Sequence, residues 1–177
     1  MKLKFMNTFL VTAMITIAGC NEKPKELPAE AVTVDVYYGY PATLTEGIQF
    51  SDKPNYPSFI KSVKGMSDYE SSGRWTDGKN VVFTFTENLP ANFTLEIDLA
   101  ATFSSNIDKE IQVQVGDWKG GFIGGANTSN NKLLVKTITP TDSIIITIPK
   151  PESPVNLGTG QDARLLGVKF KFLKIRV

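Results

Sequence analysis

The chain has 177 residues, 41% of them apolar and 10% aromatic, with a formal charge of +1, a single cysteine and no histidine. That apolar content is ordinary for a globular chain and excludes wholesale disorder, while the near-neutral balance excludes a nucleic-acid binder, which needs clustered cations to displace counterions. Without histidine there is no Ser-His or Cys-His catalytic arrangement, and the commonest general base and metal ligand are gone.

Lys2 and Lys4 open the chain, an apolar run from Phe9 to Ile17 follows, and Ala18-Gly19 lead into Cys20. A basic start, a short apolar stretch and small residues make a secretory signal. The run falls short of the about 20 apolar residues that a spanning helix requires. The segment resembles the bacterial lipoprotein signal, whose small-residue lipobox ends in cysteine. The resemblance implies that residues 1–19 are removed and that Cys20 becomes the lipidated first residue. Its partner is then the membrane, through this lipid anchor. More than one acyl chain is needed for stable attachment, and the resemblance implies several. The alternative is a secreted chain with a free thiol. Lipoproteins with Asp after the cysteine are retained at the inner membrane; Asn21 and Glu22 stand here. The expectation is therefore the periplasmic side of the outer membrane. Lys2 and Lys4 leave with the signal, which moves the formal charge from +1 to −1. What remains is the size of one domain and needs no disulfide to fold.

Residues 20–31, with Pro24 and Pro28 among Glu and Lys, offer little to bury and read as a solvated tether. At roughly 3 Å per extended residue, it holds the domain some tens of ångströms from its anchor. Residues 32–177 form the domain. Val32 to Tyr37 alternates apolar and polar, as do Val81 to Phe85, Phe93 to Leu99, Ile111 to Val115, Ile144 to Ile148 and Val168 to Val177. Such alternation with β-branched and aromatic residues marks half-buried strands. Further strands are expected at Gly47 to Phe50, Phe59 to Val63, Gly73 to Thr76 and Leu133 to Thr137, with a short helical turn near Lys61 to Met66. Turn clusters separate them, among them Asp77-Gly78, Ser104-Ser105-Asn106, Gly124-Gly125-Ala126-Asn127 and Pro149 to Gly160, and the glycines at 120, 121, 124 and 125 are read as permitting tight bends or a bulge. On the last strand Lys169, Lys171, Lys174 and Arg176 mark the wet side, and the alternation slips at Leu173, which predicts a bulge. The fold class is all-β, a single antiparallel β-sandwich.

Phosphate-loop, Gly-x-Gly-x-x-Gly and Gly-x-Ser-x-Gly patterns are absent. No cofactor or metal is expected, and no catalytic residue. The best ligand-binding candidates are Glu70, Arg74, Trp75 and Asp77, with Arg164 beside them. Trp75 offers a flat apolar face and Arg74 a rigid fork of donors. Sugars present C–H faces to aromatics and hydroxyls to charged groups, and a phosphate would take the fork bidentately. The alternative is structural: Trp75 as core, Arg74 in a buried ion pair with Glu70 or Asp162, Asp77-Gly78 as a hairpin turn, and Arg164 pinning the 149–160 loop. Trp118 and Phe122 form a further aromatic pair on a glycine-rich loop, either a platform or a cover for one end of the core. A carboxylate pair for glycoside hydrolysis would need Glu70, Asp77 or Asp162 brought together by the fold.

Glu70-Ser-Ser-Gly73-Arg74-Trp75-Thr76-Asp77-Gly78, Leu89-Pro90 with Phe93, Ser153-Pro154, and Asp162-Ala-Arg164-Leu-Leu166-Gly167 carry a wider resemblance. From about Ile48 to Val177 the chain resembles a domain of unknown function from bacterial envelope proteins. That domain is appended to membrane phosphoglycerol transferases and some membrane glycosyltransferases, and it also occurs alone. Ser72 departs from the family pattern, which has an aromatic residue before Gly-Arg-Trp. The resemblance implies a jelly-roll sandwich reminiscent of carbohydrate-binding modules. Together these readings lead to a lipid-anchored, non-catalytic module that binds an envelope glycan or glycolipid headgroup. The alternative role is an accessory factor that contacts another envelope protein, and a glycan-active enzyme ranks behind both.

Overall fold

The computed structural model describes residues 33–35, 39–125 and 130–177. The residues read as a signal (1–19) and as a tether with Cys20 (20–31) lie outside the described residues. In chain order the strands are β1 (Thr33–Asp35), β2 (Ile48–Gln49), β3 (Ile60–Lys64), β4 (Arg74–Asp77), β5 (Asn80–Phe85), β6 (Asn92–Thr102), β7 (Glu110–Val115), β8 (Trp118–Ile123), β9 (Asn131–Lys136), β10 (Ser143–Thr147) and β11 (Leu166–Arg176). A 3-10 turn at Ser104–Asn106 follows β6.

Two antiparallel sheets face each other. One has the order β1-β3-β5-β10-β7-β8; the other runs β2-β11-β6-β9, with β4 also paired to β11. From β3 to β7 the chain changes sheet at every step, and it does so again from β8 to β11. This back-and-forth makes the sandwich jelly-roll-like. Alternation explains the two layers: along β5, Val81, Phe83 and Phe85 are buried while Val82 and Thr84 are half-exposed. Three phenylalanines tie the layers together. Phe50, just after β2, lies 6.0 Å from Phe83 of one sheet and 5.5 Å from Phe170 of the other, ring centre to ring centre. All three are sealed from water, and each contributes about 1.5–3 kcal/mol by burial. Tyr56 meets Phe50 edge-on and extends this cluster toward β4.

Four expectations are corrected. The stretch Lys61 to Met66 is not a helical turn; its first part is β3, and a register shift between Ile60 and Ser62 puts the buried residues Ile60 and Val63 three apart. The glycines at 120 and 121 do not bend a loop. They lie within β8, paired with Val113 and Gln112. Asp77-Gly78 is not a hairpin turn, because β4 and β5 belong to different sheets. Lys169 is not wet: it is 7% exposed, because β4 and the loop before it cover that end of β11. The bulge expected near Leu173 is present, as a register shift between Phe170 and Phe172.

Candidate ligand-binding site

The Gly-Arg-Trp segment is shaped by backbone geometry. Glu70 and Gly73 exchange two backbone hydrogen bonds and close a tight turn. Gly73 has φ +129, and a Cβ there would come within 2.2 Å of the Phe170 carbonyl. Only glycine lets the turn approach β11 so closely. β4 then follows with period two. Arg74 pairs with Phe170, a core residue, and Trp75 pairs with Lys169. Arg74 and Trp75 therefore point to opposite sides of the strand.

The Trp75 side gathers the other predicted residues. The Trp75 ring is half-buried, held edge-on by Phe103 at 6.3 Å, with the Lys169 ammonium 5.7 Å from its centre. Lys169 Nζ donates to Glu70 Oε2 at 2.6 Å and to Ser72 Oγ at 2.5 Å. Arg164 Nη1 donates to Glu70 Oε1 at 3.0 Å. The Arg164 Nε and Nη2 groups reach Asp162, the shortest contact being 2.7 Å. Asp77 Oδ1 accepts from the Leu165 amide at 2.9 Å and ties this loop to β4. The charges set one another. The Lys169 hydrogen bond, then Arg164, holds the Glu70 carboxyl below the usual range although burial pushes the other way. Arg164 does the same to Asp162, and Asp162, then Glu70, holds the guanidinium charged beyond its ordinary range. Two cations and two carboxylates thus cancel in one network, which reaches the Trp75 ring through Lys169.

The Arg74 side is different. Arg74 is 9% exposed. It donates from Nη1 to Tyr56 Oη at 3.3 Å and from Nη2 to the Pro54 carbonyl. The guanidinium lies 4.6 Å from the centre of the Tyr56 ring and 5.9 Å from that of Tyr69. The ion pair expected between Arg74 and Glu70 or Asp162 is absent; Asp162 pairs with Arg164, and Glu70 with Arg164 and Lys169. Arg164 links its own loop to the Glu70 turn.

Sequence reasoning missed Lys169, Phe103, Tyr56 and Tyr69. Nothing local separates Lys169 from Lys171 or Lys174, and the two tyrosines reach Arg74 only through the fold. Trp118 and Phe122 resolve toward the core: both sit on β8, opposite Val115 and Ile111. Phe122 is 7% exposed, and Trp118 packs against the core cluster. Among the described residues no group of three or more His, Cys, Asp or Glu is placed to hold a metal ion.

The fold and this surface define an antiparallel β-sandwich domain with an aromatic, charge-balanced patch at one end of β4. A family model for a domain of unknown function, DUF7024, matches residues 35–177, and the chain belongs to that family. No curated protein matches the chain. Among solved structures it is similar to two single-substitution variants of CBM29-2, a family 29 carbohydrate-binding module. One is 12% identical with a TM-score of 0.47, the other 13% identical with a TM-score of 0.43. Each alignment covers 73% of this chain and 89% of the module.

Proposed function

We propose that the protein is a lipid-anchored, non-catalytic binding module of the bacterial envelope, attached through Cys20 to the periplasmic side of the outer membrane. Its ligand is a glycan or glycolipid headgroup, received on the Trp75 side of β4. The observation that carries this reading is the half-buried Trp75 ring beside Lys169, which hydrogen bonds through Glu70 join to Arg164 and hold in place. An aromatic face meets the C–H side of a sugar, and pre-positioned donors and acceptors meet its hydroxyls. Asp77 anchors the loop that carries Arg164. Chemistry on the glycan is not the role proposed. A glycosidase needs one carboxyl raised to act as an acid, and Glu70 and Asp162 are both held below the usual range.

The test is a glycan array of envelope saccharides probed with wild type and with Trp75→Ala of confirmed fold. Loss of the ring contact is worth about 1.4 kcal/mol, so binding should weaken about tenfold. Undiminished binding by the variant removes the site. The anchor is tested apart from the ligand: acyl labelling in cells should vanish in Cys20→Ala, and its persistence would refute lipidation there.

A further inference from the structure

Among the described residues, only neutral groups meet the buried positive charge of Arg74. Its partners are a tyrosine hydroxyl, a backbone carbonyl and two aromatic rings. Among the described residues the ion pairs involve other cations. A cation taken out of water without an anion is costly, and rings and a carbonyl offset that only in part. Beside the guanidinium is a cavity of about 280 Å³, walled by Tyr56, Val63, Met66 and Tyr69, with Ser67 and Asp68 at its side. That volume suits one small group, not an extended ligand.

The donors point the same way. A guanidinium has five N–H groups, and two of Arg74's meet protein acceptors. The others belong to a side chain that lines the cavity. Tyr56 Oη accepts from Arg74 and keeps its own proton to give, while Tyr69 Oη already donates to the Ser51 carbonyl at 2.9 Å.

We propose that this cavity is a binding site for an oxyanion group, a phosphate or a carboxylate, received by the Arg74 fork and the Tyr56 hydroxyl. The guest supplies the missing negative charge, and the planar fork suits two oxygens of such a group. The site lies across β4 from Trp75, so it stands whether or not the glycan reading holds. Asp68 is exposed and carries no ion pair to Arg74. Its charge opposes the guest.

The experiment titrates the intact mature protein at low ionic strength with inorganic phosphate and, separately, with acetate, following the side-chain Nε–H signals of arginine by NMR. Saturable movement of the Arg74 signal is expected with at least one of the two. Response to phosphate alone assigns a phosphate-bearing source, and response to both admits a carboxylate. Arg74→Lys keeps the charge but loses the fork, so affinity should fall about tenfold. Should that variant fail to fold, the exposed Asp68 serves instead: Asp68→Asn should tighten binding roughly twofold by removing a repulsion across the cavity. Absence of saturable binding of both anions overturns the proposal. So does an Asp68→Asn variant that unfolds more readily and binds no better, since Asp68 would then be the counter-ion.

Discussion

Two arginines, one on each side of β4, are solvated and paired in opposite ways. Arg164 is about a third exposed at its side chain and faces two carboxylates, Glu70 and Asp162. Arg74 is nearly sealed and pairs with none among the described residues. Exposure and charge pairing are thus inverted relative to their costs, because the more exposed cation has anions and the nearly buried one has rings. A charge already cancelled by fixed neighbours is a structural tie and a hydrogen-bonding surface. A charge left open beside a cavity retains its attraction for something that is not part of the chain. The two sides of one short strand therefore offer two kinds of recognition, a neutral polar patch beside an aromatic ring and a cationic pocket.

The largest effect that would sharpen this contrast comes from Glu70. In Glu70→Ala the buried Lys169 keeps Ser72 as its hydrogen-bond partner and the Trp75 ring beside it but has no carboxylate, and Arg164 loses one of its two carboxylates. Removing one member of a buried pair costs about 3–5 kcal/mol. Because Glu70 is itself partly exposed, about 2 kcal/mol is expected here. On the other side, Arg74→Met keeps the bulk against Tyr56, leaves no anion behind and relieves a desolvated charge. Its cost should stay within about 1 kcal/mol. Urea unfolding at neutral pH measures both. If Arg74→Met proves the costlier change, the guanidinium is a structural tie after all, and the contrast fails.

Most of the fold was legible in period-two patterning because strands such as β5, β7 and β10 bury alternate residues. Where it misled, the cause was local. Ile60 to Val63 and Phe170 to Leu173 show the same slip of three between buried residues, and both come from register shifts. Within a long alternating run the slip reads as a bulge. In a short run the same spacing imitates a helix. β8 was hidden because glycines occupy two of its positions; Gly120 is bare because the Trp118 ring lies over it, where a Cβ would come within 2.5 Å. The pattern of Trp118, Gly120 and Phe122 on one face was there to be read. The site was legible as residue types and not as neighbours. Arg74 and Trp75 are adjacent in the chain and separated by the strand, and Glu70's partners come from 94 and 99 positions away.

The smaller, finer test is acidity. Glu70 and Asp162 have folded-state values depressed below their ordinary 4.5 and 3.8. A depressed carboxyl stabilises the fold at pH values above its unfolded value, and that contribution disappears as the pH falls through the folded one. The Trp75 side should therefore loosen below about pH 4.5, whereas the Arg74 side has no carboxylate partner to protonate. In Glu70→Gln the deficit relative to wild type should be full at pH 7 and shrink steadily below pH 4.5, because acid neutralises the native carboxyl as well. Glu96, held down chiefly by Arg176, retains its own acid response in that variant, so the difference between the two curves isolates Glu70. Arg74→Met should follow the wild-type pH profile with a constant offset. Thermal unfolding from pH 7 to pH 2.5 reads all three proteins, and an Arg74→Met offset that closes in acid would mean that a carboxylate reaches Arg74 in solution.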